Sequence, residues 1–243
     1  MLDVLSNHQT TQEIHRFTMT QSSTLTNSSN FSKSKNLLNS YSQQLLSGII
    51  MAIAYFCYTN IDLALTILIH KHIKSPNSYY LSTIFNGITQ LGESHHYLII
   101  ATITYVMYHK KHPQTAAHAK SIFIIIASTG CFVNLMKIFF GRYRPTVYFS
   151  KGQFGFSCNW IEYSARYLSF PSGHAVTIFS LAFYLSRIYP KYRLHFYSLA
   201  TLVASSRLIV TAHYMSDVIV GAWLGVTLSA LIIQKIQKGN KQC

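Results

Sequence analysis

The chain reads as an all-α protein, a polytopic membrane helix bundle with about six transmembrane helices. Two observations predict this. Apolar residues make up 49% of the 243 residues and charged residues only 11%, against about 25% charged in a soluble domain. Apolar runs long enough to cross a bilayer about 30 Å thick also recur along the chain.

Residues 1–40 are polar, with stretches such as "QSSTLTNSSN". They cannot bury a core and are expected to form a flexible tail. They lack the basic start, apolar centre and small-residue cleavage site of a signal peptide. A six-helix membrane domain is expected over 41–238, followed by a short C-terminal tail over 239–243. The spans are placed at 45–69, near 88–108, and at 121–140, 175–189, 196–212 and 218–236. "TIFNGITQL", ahead of the second span, reads as a partly polar helix.

Lys and Arg number 20 against 6 Asp and Glu, a net charge of +14. The basic residues are scattered between apolar segments, which argues against nucleic acid. A membrane surface or an anionic substrate remains. With a cytoplasmic N-terminus, 12 of the 20 Lys and Arg fall on the inner side, a moderate positive-inside bias. Cys57, Cys131, Cys158 and Cys243 show neither metal-ligand spacing nor a disulfide framework and read as small apolar fillers.

Three short stretches stand at span ends. "KIFFGRYRP" carries Lys137, Arg144 and Pro145, "PSGH" covers Pro171 to His174, and "SRLIVTAHYMSD" carries Ser206, Arg207, His213 and Asp217. Span counting puts all three on one membrane face, the outer one in the orientation above. Three cations without a nearby acidic pair make an anion site. Lys137 and Arg144 are seven apart and share a face if the helix continues. Arginine forks match phosphate oxygens, and lysine adds a point charge. "SGH" at a helix start offers free backbone N–H groups. His213 and Asp217, at i and i+4, let a carboxylate orient an imidazole that can attack phosphorus. His174 can then protonate the leaving oxygen. This pattern predicts an interfacial phosphoryl-transfer site.

K-x6-RP, PSGH and SR-x5-H-x3-D, in this order, resemble the signature motifs of the type 2 phosphatidic acid phosphatase superfamily over roughly residues 80–235. The resemblance implies a six-helix membrane phosphatase that uses no metal and no cofactor. It implies that His213 becomes a phosphohistidine, Asp217 supports it and His174 protonates the leaving group. Lys137, Arg144 and Arg207 would hold the phosphate, with Ser172 and Gly173 donating hydrogen bonds. The stretch "RYRPTVYFSKGQFGF" looks most like the lipid A phosphatase branch, so a lipid A-type substrate leads. Undecaprenyl pyrophosphate, phosphatidylglycerol phosphate and phosphatidic acid follow, and transfer to a second lipid is the rival reaction. The expected location is a bacterial inner membrane with the site facing the periplasm.

Other residues have plainer readings. Arg142 is expected as a surface anchor first and a substrate contact second. Asp62, in or just beyond the first span, is expected in a structural pair or at the interface. His70, His72, His95 and His96 match no ligand pattern. The aromatic loop 146–170, with Tyr148, Phe149, Phe154, Phe156, Trp160, Tyr163, Tyr167 and Phe170, reads as an interfacial belt, or else as a lip for the lipid. Glu162 is the only acid in it.

Overall fold

A computed structural model describes residues 41–73, 79–157 and 164–240. The expected tail over 1–40, and Lys74, Cys158, Trp160, Glu162, Tyr163, Lys241 and Cys243, lie outside the described residues. Residues Ile50–Cys243 belong to one compact unit, which carries the bundle.

The described residues form eight helices and no named strand, the fold class expected from composition. They are α1 (Tyr41–Ile73), α2 (Tyr79–Gln90), α3 (Ser94–Tyr108), α4 (Pro113–Phe140), α5 (Pro145–Lys151), α6 (Gly173–Ile188), α7 (Arg193–Ile209) and α8 (Met215–Asn240). Three of them, α1, α4 and α8, are long and apolar enough to cross a membrane. The 15, 16 and 17 residues of α3, α6 and α7 make apolar rods of about 22–26 Å. Less than half of each long span's most apolar stretch is buried within the protein. Side chains such as Ile100, Val106, Leu135 and Phe139 face outward. A belt of that size is what a bilayer covers and water does not tolerate. The protein is an integral membrane protein.

The partly polar helix expected ahead of the second span is α2, and the span itself, α3, begins at Ser94 rather than near 88. Turn hydrogen bonds from the amides of Leu91, Gly92 and Glu93 end α2 before α3 begins. The last helix runs to Asn240, two residues into the expected tail. Pro113 opens α4, where its missing N–H costs nothing, and Gly141 closes it in the left-handed conformation at φ 54°.

α6 is the central helix. Val176 packs with Val133, Phe170, Val220 and Leu224. Ile178 and Ala182 pack with Ala200 and Val203 of α7, and Tyr184 packs with Ile125 and Ile233. α8 meets α6 through Gly221 and Gly225, spaced i, i+4 on one face. A Cβ at Gly221 would lie 2.7 Å from the Ser172 carbonyl oxygen, and one at Gly225 would lie 2.6 Å from that of Val176. The Ser180 hydroxyl donates to the Gly225 carbonyl at 3.2 Å. Without a hydrophobic drive between helices in lipid, small residues set how closely backbones approach. This contact seats the start of α6 against the start of α8.

Gly225→Ala should therefore force the two helices apart and destabilise the protein by about 1–3 kcal/mol. Gly87→Ala, where a Cβ meets nothing within 4 Å, should be neutral or stabilising. Thermal unfolding in detergent compares the two, and equal midpoints would contradict the packing assignment.

Candidate active site

The chain ends of four helices meet at one cavity of about 330 Å³. Lys137, from the last turn of α4, lines it together with Arg144, Gly173, His174, Arg207 and His213. Asp217 and Ser172 are fully buried beside it rather than in its wall.

Local structure explains each placement. The chain leaves α4 through Gly141, so Lys137 and Arg144 do not share a continuing helix face. Arg144 instead precedes α5, and its amide is held by the Arg166 carbonyl at 2.9 Å. The Lys137 ammonium donates to the Leu168 carbonyl at 2.8 Å, and Arg207 donates to the Thr89 hydroxyl at 2.6 Å. The buried Nε atoms of Arg144 and Arg207 have no hydrogen-bond partner. Orphaned donors on cavity-lining cations are what an anion would satisfy.

Ser172 precedes the first turn of α6. Its amide is spent on the Asp217 carbonyl at 3.1 Å, and its buried hydroxyl has no partner. Of the expected donors, the Ser172 amide is thus taken by the fold. The next amides, at Gly173 and His174, begin α6 and have no intrahelical acceptor.

His213 sits in the turn between α7 and α8. The Arg207 carbonyl accepts from the amides of both Ala212 and His213. Hence the spacing of the motif reflects one tight turn, in which Thr211 takes a left-handed φ of 50° that a β-branched residue rarely adopts. Asp217 is the third residue of α8 and reaches back to accept from the Tyr214 amide at 3.0 Å, the carboxylate half of a capping box. Its Oδ2 also accepts from the Ser169 hydroxyl at 2.6 Å and lies 3.5 Å from His213 Nδ1. With Nδ1 on the carboxylate side, Nε2 is the nitrogen left for chemistry. Burial first, and the Lys137 and Arg144 charges after it, hold the His213 imidazole far below its ordinary value, at about 3, against the pull of Asp217. The ring is neutral at physiological pH.

The structure adds residues that motif reading missed. Glu93, at the α2–α3 break, places Oε1 3.0 Å from His174 Nε2, a close contact outside hydrogen-bond geometry that is an ion pair only when the imidazole is protonated. Gly92 packs on the same imidazole, and a Cβ there would lie 2.7 Å from Cδ2. An acid therefore does stand beside the three cations, and the "LGE" break was the signal for it. Arg142 is the clearest correction. It is 1% exposed and faces neither solvent nor cavity. Its guanidinium donates to Asp217 and, at 2.7 Å, to Asp62. The rings of Tyr58, Phe154, Phe156 and Tyr214 surround it at 4.5–5.8 Å. Phe154 and Phe156 of the aromatic loop thus enclose a buried charge, where an interfacial belt was expected. Asp62 is fully buried in this pair. Among the described residues, no group of three or more His, Cys, Asp or Glu side chains could hold a metal ion. Cys57 is buried and Cys131 exposed, both free thiols.

Inorganic phosphate should bind the purified protein. Arg144→Ala and Arg207→Ala should each weaken it by about 10- to 100-fold, the worth of a charge-assisted hydrogen bond. Isothermal titration reads the affinities; unchanged values in both variants would show that these cations do not face the anion.

Two curated relatives align with this chain. Lipid A 1-phosphatase of Rhizobium johnstonii is 36% identical over 110 residues, covering 45% of this chain and 44% of the relative. Lipid A 1-phosphatase of Rhizobium etli is 34% identical over 110 residues, covering 45% and 47%. The aligned stretch thus spans less than half of either relative. Among solved structures, LpxE of Aquifex aeolicus superposes with a TM-score of 0.53 at 20% identity, over 72% of this chain and 95% of that one. The first transmembrane PAP2 type phosphatidylglycerolphosphate phosphatase from Bacillus subtilis superposes with a TM-score of 0.54 at 22% identity, over 79% and 94%. At these identities the two structures establish the shared fold. The model of the PAP2 superfamily matches residues 118–241, which hold every motif residue above, and the chain belongs to that superfamily.

Proposed function

We propose that the protein is a phosphatase that removes a phosphate group from a membrane lipid through a phosphohistidine. The observation that carries this reading is the single cavity shared by His213, His174, Lys137, Arg144 and Arg207, with Asp217 directly behind His213. Neutral His213 Nε2 attacks phosphorus. The N–P bond forms as the P–O bond to the lipid breaks, and His174 gives its proton to the leaving oxygen. Water then attacks the phosphohistidine with His174 as base, the N–P bond breaks and inorganic phosphate leaves. Lys137, Arg144 and Arg207 hold the phosphoryl oxygens, where charge concentrates in the transition state. The Gly173 amide and the Ser172 hydroxyl assist them at the start of α6.

Lipid A is the lead substrate, because the aligned relatives bear the name lipid A 1-phosphatase. The cavity lies at helix ends, where a lipid headgroup can enter from the leaflet. The reaction is placed at the periplasmic face of a bacterial inner membrane on the charge bias of the connecting segments. Residues 41–238 form the phosphatase domain in this reading, with 1–40 and 239–243 as tails.

The direct experiment supplies purified enzyme, in EDTA, with lipid A, undecaprenyl pyrophosphate, phosphatidylglycerol phosphate and phosphatidic acid. Products are read by mass spectrometry. Release of inorganic phosphate from lipid A is expected. A phosphorylated acceptor lipid would make the protein a phosphotransferase, and activity that needs added Mg²⁺ would contradict the mechanism.

The two histidines are separable. His213→Ala should leave almost no turnover on any substrate. His174→Ala should lose about 10²- to 10⁴-fold on the lipid, whose alkoxide leaves badly, and clearly less on p-nitrophenyl phosphate. Asp217→Asn should stay folded but turn over slowly. Equal losses for His174→Ala on both substrates would remove its general-acid role.

A further inference from the structure

The charges behind His213 form a row that the reaction above leaves unexplained. Arg142 Nη1 donates to Asp217 and to the Ser216 hydroxyl, the latter at 2.7 Å. Arg142 Nη2 donates to Asp62 at 2.7 Å. The Ser216 amide donates to Asp62 Oδ1 at 3.0 Å, and its hydroxyl donates to Oδ2. Both carboxylates have no exposed surface. Asp62, Arg142 and Ser216 stay out of the cavity wall, so none of them can touch a substrate held there.

Asp217 and Arg142 alone would cancel, and a neutral pair does little for a cation beside it. Asp62 brings the row to one net negative charge. During the reaction the His213 ring changes charge: once Nε2 carries the phosphoryl group and Nδ1 keeps its proton, the ring is formally an imidazolium. It then faces the row across the 3.5 Å between Nδ1 and Asp217 Oδ2.

We infer that Asp62 is a positioning residue for the His213 reaction. It neutralises Arg142, so that Arg142 can fix the Asp217 carboxylate without cancelling the negative charge that stabilises the phosphohistidine. Two features support this. Asp62 directly follows a π-helical turn, Cys57–Ile61, an irregularity often found at functional sites. It is also a fully buried acid inside an apolar span, where charge is costly and rarely without use. The inference rests on the phosphohistidine reading.

The test compares kcat and KM on one phosphorylated lipid for Asp62→Asn, Arg142→Gln, the double variant and His213→Ala. Inorganic phosphate affinity serves as the check that the cavity is intact. Asp62→Asn keeps shape and removes one charge. It should lower kcat on the order of 10- to 100-fold, the usual size of an orienting partner's effect, with KM and phosphate affinity unchanged. The double variant restores one net negative charge and should regain part of the lost kcat. A double variant as slow as Asp62→Asn or slower would mean that the pair only holds the fold, and the inference would fall. So would an unchanged kcat in Asp62→Asn while His213→Ala is inactive, an outcome that leaves the phosphohistidine reading standing. Turnover by His213→Ala would sink both. If Asp62→Asn does not fold, Ser216→Ala loosens the same row more gently. It should lower kcat at constant KM, and an unchanged kcat there would overturn the inference.

Discussion

The Asp217 carboxylate accepts from the Arg142 guanidinium, the Ser169 hydroxyl and the Tyr214 amide, and it lies against His213 Nδ1. A buried carboxylate left without partners would cost several kcal/mol, so these bonds are obligatory and they fix what they touch. Arg142 comes from the segment after α4, Ser169 from the loop before α6, and Tyr214 from the turn into α8. One side chain thereby ties three connecting segments together. The Asp217 backbone does the same for a fourth point, since its carbonyl receives the Ser172 amide at the mouth of α6. The close approach of α6 to α8 through Gly221 and Gly225 is the packing counterpart of this polar knot.

The four cations near the knot divide by their partners. Lys137 and Arg207 bond to a carbonyl and a hydroxyl, which are neutral, so they present their charge to the cavity. Arg144 Nε has no partner. Arg142 bonds to two carboxylates, and its charge is consumed inside the protein. Partner chemistry therefore separates the cations that line the cavity from one held inside the protein, although Arg142 and Arg144 are two residues apart and both lie in "GRYRP".

The same contrast explains what the sequence could and could not reveal. Composition and apolar runs made the helical membrane fold legible, because lipid forces every backbone group into a helix or a closed barrel. The motif residues were legible because their spacing reflects local turns: the Gly141 cap, the start of α6 and the Arg207–His213 turn. What failed was anything set by tertiary partners. Arg142 looks like an interfacial anchor until Asp62, 80 residues earlier, is seen beside it. Glu93 was hidden because its place beside His174, 81 residues later, is set by tertiary packing and not by local spacing. The seven-residue spacing of Lys137 and Arg144 invited a continuous helix, which Gly141 ends.

Helix direction accounts for where each charge stands. Lys137 and Arg207 occupy the last turns of α4 and α7, where carbonyl ends carry partial negative charge and favour cations. Asp217 occupies the first turn of α8, where free N–H groups and partial positive charge favour an anion, and α6 opens beside it with the Gly173 and His174 amides. Two carboxyl ends and two amino ends thus converge on one cavity, and Lys137, Arg207 and Asp217 each stand at the end whose dipole favours their charge. The stretches between are apolar, so few ionisable groups need to lie at bilayer depth. An alternating up-and-down bundle is the topology that brings α4, α6, α7 and α8 into this register. It allows a polar cavity within a protein whose outer surface is made for lipid.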